Sequence, residues 1–130
     1  MSQKMMKYIQ YITMKKIILF IFICLLVIGC STAYKNITAQ MPDLSQIDDG
    51  VYRGIFDLQG TPVKVTLDVN VQNNRISNIK IIEHKRSPIG KKAEVLIDHV
   101  IEKQSLEIDA VSGATASSIS ILKAIENALR

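Results

Sequence analysis

The chain has 130 residues, with 16 lysines and arginines against 12 aspartates and glutamates and a formal net charge of +4. That length holds one domain; Lys4, Lys7, Lys15 and Lys16 all fall in the first sixteen residues, which carry no acid, so the excess charge is N-terminal and gives no nucleic-acid footprint. The cysteines are Cys24 and Cys30 and the histidines His84 and His99, which excludes thiolate and iron–sulfur chemistry from the folded part, gives a zinc or haem site little support, and leaves any redox chemistry to an organic cofactor.

Lys15 and Lys16 precede the apolar run IILFIFICLLVIG, Ile17 to Gly29, and then comes Cys30. Thirteen such residues make a helix of about 20 Å, short of a hydrocarbon core of about 30 Å, so a targeting segment is expected over residues 1–29. The ending VIGC resembles the lipobox of bacterial lipoproteins. That resemblance implies cleavage before Cys30, a diacylglycerol on its thiol, and a lipid anchor on the extracytoplasmic face of the cell membrane. An uncleaved signal anchor is the alternative. The opening MSQKMMKYIQYIT adds nothing a signal peptide needs, and a start at Met14 gives one of ordinary proportions. Residues 31–48, STAYKNITAQMPDLSQID, have no sustained period and include Pro42. With Cys30 they read as a flexible tether, about 25 Å r.m.s. and about 60 Å fully extended.

The folded part is expected over residues 49–130. GVYRGIFDL, Gly50 to Leu58, mixes aromatic and β-branched residues between glycines and reads as a strand. In VKVTLDVNV the residues Val63, Val65, Leu67, Val69 and Val71 face one way, and Lys64, Thr66, Asp68 and Asn70 face water. Asn73-Asn74 suits a two-residue hairpin, and RISNIKIIEH returns with a bulge expected near Ile81-Ile82. Ala93, Leu96, Ile97, Val100 and Ile101 mark one face of a helix, SLEIDAV a short extended piece, and Ile119, Leu122, Ile125 and Leu129 a second helix. The fold class is α+β, a small antiparallel sheet of three to four strands packed against two helices.

The last helix opens on DAVSGATASS, Asp109 to Ser118. A helix start presents unpaired N–H groups and a partial positive charge, so it suits a phosphate or carboxylate. Gly113 allows close backbone approach, Ala114 and Ala116 add no bulk, and Ser112, Thr115, Ser117 and Ser118 supply hydroxyls. By spacing alone, Ser112 or Thr115 serving as an ordinary N-cap explains the stretch equally well.

DAVSGATASS resembles the attachment motif of the FMN-binding domain family, and DGVYRG, the strand pair, IKIIEHK, the Pro-Gly approach to the first helix and AVSGATASSISILKAIENAL follow in that family's order over residues 49–130. The family includes small lipoproteins and the FMN-carrying subunits of sodium-translocating NADH:quinone reductase and the Rnf complex. The resemblance implies FMN held as a phosphoester on Thr115, transferred from FAD by a flavin transferase, with Asp109, Ser112, Gly113 and Ala114 completing the motif and His84 a flavin neighbour. It also implies an electron carrier between a membrane donor and an extracytoplasmic acceptor, more than a stand-alone enzyme. The chain departs from its relatives at Arg86 and Ser87, where an acid and a threonine are usual before the proline, and at Ala110, where glycine is frequent. A reductase with non-covalent FMN and a non-redox binding lipoprotein are the competing readings. Tyr52 and Phe56 are expected in the core, and His99, Lys91 and Lys92 in solvent.

Overall fold

The computed structural model describes residues 2–28 and 37–130; Cys30 and the end of the apolar run lie outside the described residues. The chain forms two compact units, residues 1–36 and 37–130. In the first, α1 spans Gln3–Ile28. Its side chains from Ser2 to Ile23 are exposed, tyrosines, isoleucines and phenylalanines included, so among the described residues nothing in its own unit covers that apolar surface. Among the described residues no helix is long and apolar enough to cross a membrane.

The second unit is α+β. Strands β1 (Gly50–Asp57), β2 (Lys64–Gln72) and β3 (Arg75–Lys85) form one antiparallel sheet in that order. The alternation in β2 is realised: Val65, Leu67, Val69 and Val71 are fully buried, and this row is the floor of the core. Asn73 and Asn74 take φ of 52° and 59° at the β2–β3 turn, the conformation a tight primed turn requires. The bulge also forms. Thr66 faces Glu83 while Leu67 faces Ile81, leaving Ile82 as the extra residue. A second shift leaves Ser77 between Asn78 and Ile76, its hydroxyl donating to Asn70 O at 3.1 Å.

Helix α2 (Leu96–Lys103) lies against β3, and α3 (Thr115–Ala128) crosses β1 and β2. The approach of α3 is possible because Gly54 has no side chain: a Cβ there would stand 1.8 Å from Ala124 O. Gln104 closes α2 in a left-handed conformation, φ 51°, and its amide pairs with the free edge of β3, accepting from Ile76 N (2.8 Å) and donating to Ile76 O (2.9 Å). One side chain therefore satisfies edge groups that another strand would otherwise claim.

Four expectations change. The helix predicted from Ala93 begins as a 3-10 segment, Pro88–Val95, because Pro88 and the Ser87 cap force a tight first turn; α-geometry starts only at Leu96. No strand forms over residues 105–111, so the sheet has three strands. Ser105 Oγ accepts from Glu107 N, Ile108 N donates to Leu106 O, and Val111 N donates to Ser118 Oγ, which leaves no ladder for a sheet partner. Helix α3 is buried beyond one stripe: Ser118, Ser120, Ile121 and Ala124 are fully buried and Ser117 nearly so, while Ile119 is half-buried. Finally, residues 37–48 belong to the folded unit and not to the tether. Ala39, Met41, Leu44 and Ile47 pack on the core, and Asp43 caps a short 3-10 turn, Leu44–Gln46. Isolated apolar residues too sparse to show a period still find one continuous surface to cover.

Candidate functional site

The site is built around the first turn of α3. Its N-cap is Ala114, φ −126°, which has no side-chain hydrogen bond to give. Ser112 and Thr115 are therefore not caps, and the plain capping explanation of the hydroxyls fails. Ala114 N instead donates to Val111 O, and the first helical bond runs from Ser118 N to Ala114 O, both at 2.9 Å. No side chain caps the amides of Thr115, Ala116 and Ser117 in between. They form a seat of N–H donors at the positive end of a fourteen-residue helix.

The turn leading into that seat is held open from behind. Ser118 is fully buried, and its hydroxyl donates to Ala114 O (2.8 Å) while accepting from Val111 N (3.0 Å). Two hydrogen bonds on one oxygen thus fix the backbone before the helix, so that it need not be fixed from the ligand's side. Gly113 has φ of 79°, a conformation that favours glycine, and the nearest atom to a Cβ there is Ile89 Cγ2 at 3.9 Å. Space beside Gly113 is open. Thr115, Ser112 and Gly113 are exposed, Ala114 is buried, and Asp109 is exposed upstream.

The second wall is the 3-10 segment. Ser87 Oγ accepts from Gly90 N at 3.3 Å, with Pro88 in the first position. Gly90 is buried against α3, where a Cβ would fall 2.5 Å from Ser117 Oγ. Ile89, 56% exposed, stands between this segment and Gly113. Lys91 and Lys92 point to solvent beyond it, as does His99 on α2.

His84 is not part of this turn. Its side chain is 3% exposed, with Nδ1 3.0 Å from Glu94 Oε1, and its buried Nε2 has no partner among the described residues. Arg86, the residue that departs from the family's pattern, donates from Nε to the same carboxylate oxygen at 3.3 Å and so spends its charge on Glu94. The structure brings Gly113 to Ile89 and Gly90 to Ser117, and it pairs His84 and Arg86 with Glu94, Arg86 Cβ bordering Gly90 as well. Tyr52 and Phe56 pack against the core, the Tyr52 hydroxyl donating to Asp48 O at 2.8 Å.

Sequence reasoning missed Gly90 and Glu94, and it read Ser118 as a hydroxyl for a ligand, whereas Ser118 is buried and bonded to the backbone. A glycine and a glutamate whose value lies in what touches them from a distant segment leave no local signal; only the Pro-x-Gly spelling of Pro88 to Gly90 marks a turn. Chemically, the arrangement offers an exposed secondary alcohol on a rigid, uncapped helix start. It can hold a phosphate on backbone N–H groups, with an apolar side chain, Ile89, beside it for a ring to lie against. Among the described residues no group of acids, histidines and cysteines could hold a metal ion.

A comparison with curated proteins returns no match. The model of the FMN-binding domain family matches residues 59–130, from the end of β1 through the whole of α3. That match covers more than half of the chain and includes every residue of the turn just described. The chain belongs to the FMN-binding domain family and is an FMN-binding flavoprotein.

Proposed function

We propose that the protein is a membrane-tethered, extracytoplasmic electron carrier whose FMN is joined through its phosphate to Thr115. The single observation that carries this reading is the open first turn of α3, an exposed Thr115 hydroxyl over amides that no side chain caps. A threonine kept for helix stability would be expected to cap, and this one sits one position too late to do so.

The residues present fit the group. The N–H groups of Thr115, Ala116 and Ser117 would hold the phosphate, Gly113 would leave it room, and Ile89 would offer apolar surface to the ring system. On a flavin transferase the Thr115 hydroxyl would take the FMN phosphoryl group from FAD, its Oγ–P bond forming as the P–O bond to AMP breaks and its proton going to the AMP released. Once attached, the cofactor supplies reversible electron uptake. This chain's residues bind and orient it and do not turn over a substrate. Covalent attachment also keeps a soluble nucleotide from being lost outside the cell. The N-terminal segment, with lipid on Cys30 or with α1 retained as an anchor, keeps the carrier at high local concentration near membrane donors and acceptors.

The test is co-expression with a flavin transferase, followed by a denaturing gel viewed under ultraviolet light and an intact mass of the mature chain. The wild type should fluoresce and carry the mass of one FMN, and Thr115→Ser should do the same. Thr115→Ala should be dark. A fluorescent Thr115→Ala band, or flavin released from the wild type on denaturation, would overturn the covalent assignment.

A further inference from the structure

Each edge of the sheet is touched by one carboxamide. Gln104 grips β3 as described above, and at β1 the side chain of Asn127, from the end of α3, donates to Ile55 O at 2.9 Å. The backbone around that contact has a defined direction. Leu58 N, just past β1, donates to Val63 O at 3.0 Å on the β2 side. In an antiparallel ladder the even-numbered residues of β1 therefore bond inward, and Val51, Arg53, Ile55 and Asp57 turn both N–H and C=O to the edge. Of these outward groups, Ile55 O is the one that a side chain occupies among the described residues. Val51 and Ile55 are 66% and 50% exposed, and Arg53 and Asp57 are exposed with them.

We propose that β1 is a strand-addition surface for a second copy of this chain, and that Asn127 is the stop that keeps it closed. The strand's own charges choose the occupant and the register. When two β1 strands pair antiparallel about a two-fold axis, setting Ile55 opposite Ile55 of the second copy places Arg53 opposite Asp57 on both sides of the axis, and outward backbone groups meet outward ones. Sliding the strands until Arg53 faces Arg53 opposes like charges instead. Arg53 is able to serve such a pair: Asp68 engages its Nε and Nη2 and leaves Nη1 without a partner among the described residues. At the centre the exchange is direct. Ile55 O must leave the Asn127 amide to accept the Ile55 N–H of the second copy, so Asn127 competes for the middle hydrogen bond of the pair. Its exposed side chain makes no other hydrogen bond among the described residues, so the stop is movable. This interface depends neither on the cofactor nor on the N-terminal segment.

The full chain in detergent, without flavin, is compared by sedimentation velocity over a concentration series and by amide hydrogen exchange. Asn127→Ala should dimerise at least about tenfold more tightly than the wild type, since a competing hydrogen bond is removed from each copy. The Arg53, Ile55 and Asp57 amides should exchange freely in the wild-type monomer and at least about tenfold slower in the Asn127→Ala dimer. Asn127→Ser, too short to reach Ile55 O, replaces Asn127→Ala should that variant fail to fold. Charges read the register: adding Arg53→Asp to Asn127→Ala should weaken the dimer at least about tenfold, and adding Asp57→Arg as well should restore it. An Asn127→Ala chain no more dimeric than the wild type, or a dimer whose three amides stay unprotected, would overturn the proposal. A dimer indifferent to Arg53→Asp would refute the pairing on which the choice of a second copy rests.

Discussion

The two ends of α3 solve opposite problems with the same material. At the last turn the buried Glu126 pairs with Lys123 and Arg130, and Asn127 donates to Ile55 O at 2.9 Å. At the first turn no side chain among the described residues caps the amides of Thr115, Ala116 and Ser117, the Thr115 side chain is exposed, and the bonds of Ser118 and of Ala114 N hold the backbone before them. The closed end holds the fold and the open end is free for chemistry. Stability and the proposed attachment thus fall at opposite ends of one helix, and substitutions should separate them.

Gly54→Ala should do the most damage. Its Cβ would meet Ala124 O, backbone that cannot swing aside, so α3 must lift from β1 at a cost of about 3 kcal/mol or more, read by urea denaturation. A Gly54→Ala protein of unchanged stability would break the contrast outright. Glu126→Gln should cost about 2 kcal/mol, less than a fully buried pair because Lys123 and Arg130 regain water when it is gone.

The pH dependence of the same group sharpens the comparison. Burial pushes the Glu126 carboxyl up, but the hydrogen bond from Lys123, the charges of Lys123 and Arg130 and the Gln40 N–H outweigh it and hold the group below the ordinary glutamate value of 4.5. A carboxyl with a lowered folded value contributes stability that is present above its unfolded value and lost as pH falls through the folded one. Wild-type stability should therefore drop between pH 4.5 and more acid conditions more steeply than that of Glu126→Gln. Parallel acid limbs would show that the buried charge is not coupled to folding.

Smaller effects belong to the open end. Gly113→Ala must hold an L side chain at φ 79° and should cost about 1 kcal/mol, without a steric clash. Thr115→Ala should change stability by no more than about 0.5 kcal/mol, since the hydroxyl supports nothing in the fold. A thermal melt of the flavin-free Thr115→Ala protein within a few degrees of the flavin-free wild type is the expected result. A large drop would mean that Thr115 is structural after all.

Much of the sheet was legible in the residues. The alternation from Val63 to Val71, the Asn73-Asn74 turn and the doubled isoleucine at 81 and 82 are local patterns, and each appeared where its own chemistry placed it. The short strand over 105–111 was not to be had from such patterns, because Leu106, Ile108 and Val111 look the same whether a ladder or a loop buries them. The packing of residues 39–47 was hidden for a similar reason: Ala39, Met41, Leu44 and Ile47 show no strand or helix period and owe their partial burial to a surface made by other segments. His84 was expected near a strand end and stands there, yet its burial under Glu94 follows from the path of the 3-10 segment.

By itself the sequence determined the three strands, the two domain helices and the family motif around Thr115, since these depend on residue type and spacing within one segment. Tertiary structure alone decided that Ala114 and not a hydroxyl residue is the N-cap of α3, that Gly54 and Gly90 are clearances for the helix, and that residues 37–47 are folded. Each of those depends on which distant atoms come within a few ångströms, and a chain of residue names carries no distances between segments.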